Sequence, residues 1–213
     1  MISPYNQYFN QIFWINSRNR VDRYKRMKKR LAEKEISATR FDAILGGHLN
    51  RDHFKFQMKL RDLDNGELGC YMSHYSILKE IVAKKIPRTL ILEDDAEFVG
   101  DFDPSILPDD WEMLFFGQHN YDTVDTAERK GCNAAIKENY KDNVYHAERC
   151  WLTHAYAITY ECAIKALAYC EVIRISIDGQ YADMQTDLKI KTYAYYPSII
   201  IQDGSPSSLR LNL

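Results

Sequence analysis

Two short apolar runs set the strongest limit on what this chain can fold into. Ile12-Phe-Trp-Ile15 and Leu90-Ile-Leu92 carry no alternation of polar and apolar residues. A strand of that kind is buried on both faces, so helices must cover the sheet above and below, as in α/β proteins. Each run also stops abruptly: Asn16-Ser17 follow the first, and Glu93-Asp94-Asp95 follow the second. Between them the period changes. Over residues 18–33, Val21, Tyr24, Met27 or Lys28, and Leu31 recur at helical spacing, with Asn16 or Ser17 placed to cap that helix. Residues 39–44 read as another strand, ending at Gly46-Gly47. A strand, helix, strand unit of this kind implies parallel pairing.

The same reading extends along the chain. Residues 48–64 are polar and mixed in sign, a loop or a short irregular helix. Asn65 then opens a helix of about five turns, carried by Leu68, Tyr71, Tyr75, Leu78 and Val82 and closed by Pro87. Residues 88–93 are the next strand, 111–117 a further buried one, and 118–150 carry no assignable pattern. Residues 153–159 are strand-like, 160–171 helical, 176–187 a loop or broken helix, and 189–201 one or two strands. There is no repeat, low-complexity segment or linker. We expect one α/β domain over 1–213, with a mostly parallel central sheet flanked by helices.

Composition excludes several functions. Hydrophobic residues are 46% of 213, enough for a sizeable core, and 28 Lys+Arg against 30 Asp+Glu leave a net charge of −2. A nucleic-acid binder needs a basic surplus for its phosphate contacts, so no nucleic-acid partner is expected. No run approaches the roughly 20 apolar residues of a membrane-spanning helix. The opening MISPYNQYFN lacks a basic region followed by an apolar stretch, so no signal peptide is expected. Cys70, Cys132, Cys150, Cys162 and Cys170 are odd in number and form no Cys-x-x-Cys pair. They read as reduced core residues of a cytoplasmic protein.

Chemistry concentrates at three places. Glu93-Asp94-Asp95 close a fully apolar strand, and ligands of open α/β sheets bind outside the carboxyl ends of the strands. Clustered carboxylates suit Mg²⁺ or Mn²⁺, which shares its shell with substrate phosphates, so the triplet reads as a metal–diphosphate site. Asn16-Ser-Arg18-Asn-Arg20-Val-Asp-Arg23 joins the first strand to a helix, a natural anion site. Arg18 and Arg23 could pair with phosphate there. Gly66 and Gly69 allow close backbone approach at a helix start, while His74 reads as a structural histidine rather than a ligand.

In this order the segments IFWINSRNRVDRYKRM, TRFDAILG and GELGCYMSHYSILKEIVAKKIPRTLILEDDAEF resemble glycosyltransferase family 25. THAYAIT, SIDGQYADM and PSIIIQDGSPSSL continue the likeness more weakly. The resemblance implies a GT-A type nucleotide-sugar fold, a UDP-sugar donor (UDP-galactose is typical), a divalent cation and inversion at the anomeric carbon. It implies a donor-binding half over 11–117 and an acceptor-side half over 118–213. By position, Asn16, Arg18, Arg23, Asp42 and Ala43 would flank the nucleotide. Gly66, Ser73, Asp94 and Gln202 would complete the donor site. Glu93 and Asp95 would take the metal, with Asp95 the principal ligand. Asp178 matches the family's acceptor-side acid and would be the base, with Asp183 the alternative.

Two departures bear on this. Ser176-Ile-Asp178-Gly replaces the family's Pro-Val-Asp, and no histidine follows His154, leaving Asp203 as a substitute for a late metal ligand. The acceptor would be a glycan, glycolipid or glycoprotein. Eight cations between Arg18 and Arg30 would allow peripheral contact with an anionic membrane.

Overall fold

The computed structural model describes residues 2–58, 61–117 and 136–205. In chain order it has α1 (Pro4–Tyr8), β1 (Gln11–Asn16), α2 (Val21–Glu33), β2 (Thr39–Asp42), β3 (Lys55–Phe56), α3 (Asn65–Lys84), β4 (Arg88–Glu93) and β5 (Ala96–Phe98). Then follow β6 (Met113–Phe115), β7 (Ile136–Lys141), β8 (Val144–Ala147), β9 (Ala155–Thr159), α4 (Tyr160–Tyr169), β10 (Val172–Ile173), α5 (Ile177–Asp187), β11 (Thr192–Tyr195) and β12 (Ile200–Gln202). Single turns of 3₁₀ helix at Gly46–His48 and Arg51–His53 fill the segment before β3.

The main sheet has eight strands in the order β2-β1-β4-β9-β6-β11-β8-β7. The expected unit holds: β1 pairs in parallel with β2 on one side and β4 on the other. β9 and β8 run against the rest, and β11 returns parallel to β6. Both faces are covered, as the unbroken apolar runs require. One core cluster joins Phe13, Ile15, Ile91 and Phe115 to residues of α3, α4 and α5. The other joins Ile12, Trp14, Leu90 and Leu92 to α1, α2 and Phe116. Alternate residues of one strand thus serve opposite cores. Cys150, Cys162 and Cys170 are buried as free thiols and Cys70 is half-buried; Cys132 lies outside the described residues.

Several local expectations need correction. Asp64, not Asn65, caps α3: its Oδ1 accepts the Glu67 N–H at 2.8 Å, and the Glu67 side chain accepts the Asp64 N–H at 2.9 Å. Helix α2 starts at Val21, with Arg20 at its N-cap and no side-chain cap. Asn16 does not cap it, because its amide donates to Asp94 at 2.7 Å and to the Arg20 carbonyl at 3.3 Å. Residues 177–187 form one helix rather than a broken segment. Its apolar stripe is interrupted by buried Gln180 and Gln185, whose amides satisfy backbone groups of Tyr169, Val172, Arg174 and Cys150. Within the unassigned stretch, β7 and β8 form an antiparallel hairpin, while 118–135 lie outside the described residues.

Candidate active site

The carboxyl ends of β1, β2 and β4 and the first turns of α3 enclose one cavity. Its lining includes Asn16, Arg23, Ala43, Gly66, Ser73, Glu93, Asp94, Asp95 and Gln202. Glu93 ends β4 and Asp94-Asp95 form the turn that leads into β5, and this change of backbone direction divides the acid triplet. Asp94 turns toward α2, where it accepts from Arg23 Nη1 at 2.6 Å and from Asn16 Nδ2 at 2.7 Å. Arg23 and Asp94 keep only 3% and 8% of their side-chain surface. A buried pair of this kind holds its partners in fixed geometry, and removing either charge leaves the other stranded. Asp94 therefore ties β4 to β1 and α2.

Glu93 turns toward α3. Its Oε1 accepts from Thr153 Oγ1 at 2.6 Å and lies 3.2 Å from His74 Nε2. Burial pushes this carboxyl up, but the His74 hydrogen bond and charge, together with Thr153, outweigh it and hold Glu93 below the usual glutamate range. His74 is fully buried, and its Nδ1 lies 3.1 Å from the Tyr156 hydroxyl, itself 3.2 Å from that of Tyr181. The histidine is satisfied on both nitrogens, as the sequence reading has it, yet it also lines the cavity.

Asp95 differs from its neighbours. It is 6% exposed, Arg23 Nη1 lies 3.3 Å from its Oδ2, and its Oδ1 is buried with no hydrogen-bond partner among the described residues. Burial and the nearby Glu93 charge push its pKa up to about 7, against the pull of Arg23. A buried, unpartnered carboxylate oxygen fits a hard dication, whose charge would hold the group ionised. The residues present thus fit the Mn²⁺ or Mg²⁺ that the resemblance implies.

Glycines bring the opposite wall close. A Cβ on Gly69 would lie 2.4 Å from the Ile44 carbonyl oxygen, and one on Gly46 would lie 1.9 Å from that of Asn65. The loop after β2 therefore rests directly on the first turns of α3. Ser73 Oγ pins it there, accepting the Ile44 N–H at 2.9 Å and donating to the Gly69 carbonyl at 2.7 Å.

Other expected residues lie apart. Arg18, with 79% of its side chain exposed, pairs with Asp42 at 2.6 Å, and neither lines the cavity. Asp178 sits in the first turn of α5, half-buried, with Oδ1 accepting the Gly179 N–H at 2.8 Å. Asp178 is not among the residues that line the cavity, and burial pushes the Cys70 thiol, which does line it, well above its ordinary value. Asp183 pairs with Arg149 at 3.1 Å. Asp203 is held by Arg30 at 3.0 Å and by the Ser205 N–H at 2.9 Å, so its oxygens serve the chain rather than a metal. Sequence reasoning passed over Cys70 and Thr153 and gave His74 no ligand role. The four-residue spacing of Cys70 and His74 on one helix was the available signal.

The family model described as Glycosyltransferase family 25 (LPS biosynthesis protein) matches residues 9–181. Human Procollagen galactosyltransferase 2 is 32% identical over 177 residues, 74% of this chain and 27% of that protein. Human Inactive glycosyltransferase 25 family member 3 is 29% identical over 180 residues, 75% of this chain and 29% of that protein. The chain thus spans between a quarter and a third of the length of these curated relatives. Among solved structures, a glycosyltransferase involved in glycosylation of the major capsid of PBCV-1 superposes with a TM-score of 0.50 at 8% identity, covering 92% of this chain and 93% of that one. That likeness concerns the fold alone.

Proposed function

The chain belongs to glycosyltransferase family 25, and on that premise we propose that it is an inverting galactosyltransferase. The donor is a UDP-sugar, the acceptor a hydroxyl of a glycan, glycolipid or glycoprotein, and the reaction uses Mn²⁺ or Mg²⁺. One observation carries the reading: Glu93, Asp94, Asp95, Arg23 and the first turn of α3 line a single cavity at the carboxyl ends of a parallel three-strand unit.

Each residue has a task in this reading. Asn16 and Ala43 flank the nucleotide. Arg23, already anchored by Asp94, faces the diphosphate, and the first turn of α3, which includes Gly66, presents its N-terminal backbone to the phosphate. Gln202 closes the cavity from the end of β12. Asp95 and Glu93 would hold the cation, which when bound supplies Lewis-acid stabilisation to the departing diphosphate. Asp178 removes the acceptor hydroxyl's proton as that oxygen bonds to the anomeric carbon. The bond from that carbon to the diphosphate oxygen breaks, and its electron pair leaves with UDP. Asp183 is the alternative base, already engaged by Arg149. Arg18 and Asp42 form a preformed pair outside the cavity lining.

A second reading follows from the relative named inactive: a nucleotide-sugar-binding module without transfer. A donor screen across UDP-, GDP- and CMP-sugars with Mn²⁺, read by thermal shift and by release of nucleotide, separates the two. UDP-galactose should give the largest shift together with released UDP. A shift without release favours the module, and no shift with any UDP-sugar removes both.

A further inference from the structure

We propose that the cavity carries a second, softer metal site, in which Cys70 Sγ, His74 Nε2 and Glu93 Oε1 take a Zn²⁺-class ion. Cys70 and His74 are four residues apart on α3, so their side chains share one face. Glu93 meets them from the end of β4. The three ligand atoms lie within 4.8 Å of one another, and all three residues line the cavity. Tetrahedral ligands about zinc stand roughly 3.5 Å apart, so the widest separation needs to close by no more than about 1.3 Å. Three protein ligands beside a cavity leave a fourth position for water or substrate.

The outer shell is present as well. The Tyr156 hydroxyl stands 3.1 Å from His74 Nδ1, where it can accept that proton and leave Nε2 free as a ligand. Thr153 Oγ1 donates to Glu93 at 2.6 Å and orients its carboxylate. Thiolate and imidazole select zinc, cobalt or copper over manganese and magnesium, whereas Asp95 offers only oxygen. The cavity thus presents a soft set and a hard oxygen that share Glu93. An ion on the soft set withdraws Glu93 from the hard one and inhibits transfer. This consequence rests on the donor-site reading; the existence of the soft site does not.

Cobalt tests it spectroscopically. Co²⁺ added to the metal-free full chain should give intense visible bands of tetrahedral cobalt and a near-ultraviolet thiolate-to-cobalt charge-transfer band. Cys70→Ala should lose the charge-transfer band and weaken Co²⁺ binding at least ~10-fold, the lower range for losing even an outer-shell partner. A wild-type spectrum without the thiolate band, or an unchanged band in Cys70→Ala, would overturn the proposal. Because the wild-type spectrum decides by itself, poor folding of the variant does not rescue it. Mn²⁺ binding followed by paramagnetic relaxation forms a separate arm: it should persist in Cys70→Ala and vanish in Asp95→Asn. Persistence in Asp95→Asn would count against the donor-site reading alone.

Discussion

Asp95 keeps a buried, unpartnered oxygen beside Glu93, an arrangement that costs stability unless something else compensates. Its folded pKa of about 7 lies above the ordinary 3.8. A carboxyl with a raised folded pKa favours the fold while protonated, and that contribution fades as pH rises from about 4 to 7. In chelator, Asp95→Asn should therefore melt higher than wild type at pH 8, by several degrees, with a smaller difference at pH 5. Scanning calorimetry at the two pH values checks this, and a gap that shrinks toward pH 8 would contradict it. In the proposed reaction Asp178 acts as base at the acceptor side. Asp178→Asn should cut transfer by about 100-fold or more, the usual scale of a general base, with UDP affinity unchanged. Steady-state kinetics beside UDP titration distinguish a lost base from a lost donor site.

At the scale of elements, the site depends on how closely the loop after β2 sits on α3. Gly69→Ala would drive a Cβ to 2.4 Å from the Ile44 carbonyl, so the loop and helix must part. Melting should fall by a few degrees and UDP affinity by about 10-fold, since strain of this kind costs ~1–3 kcal/mol. Asp64→Ala removes the helix cap and should cost ~1 kcal/mol in urea denaturation while leaving UDP affinity near wild type. Strands β1 and β4 were legible because their apolar runs never alternate, and α2 and α3 because their stripes are regular. α5 was not, because Gln180 and Gln185 are buried through backbone bonds that no periodicity records. The cap of α3 went to the wrong residue because Asp64 and Asn65 both suit an N-cap, and only the Glu67 reciprocity chooses. Glu93–Asp95 and Arg23 could be read as one site from their places at strand ends and a helix start. The Cys70–His74–Glu93 group could not, since it needs the register of α3 against β4.

Across the whole molecule, one sheet separates two cores and brings the carboxyl ends of β1, β2 and β4 to one cavity, so under the proposed function donor binding and sheet integrity are linked. The near-neutral net charge is also explained locally. Arg20, Arg26, Lys29 and Arg30 of the basic segment pair with Asp22, Asp203, Glu33 and Glu97, and Arg23 is buried on Asp94. With most of these cations matched by acids and only Lys25 and Lys28 of α2 outside ion pairs among the described residues, α2 offers a membrane little free charge, and none of the described helices is long and apolar enough to cross one. Sedimentation with anionic vesicles should show no more binding than with neutral ones; a marked anionic preference would restore the peripheral contact expected from sequence. The central claim is that this cavity holds a UDP-sugar through a divalent cation on Asp95. Calorimetric titration of UDP-galactose with Mn²⁺ tests it most directly. Wild type should bind, chelator should abolish the heat, and Asp95→Asn should weaken binding by at least ~10-fold. Equal affinity in Asp95→Asn, or binding indifferent to chelator, would contradict the account.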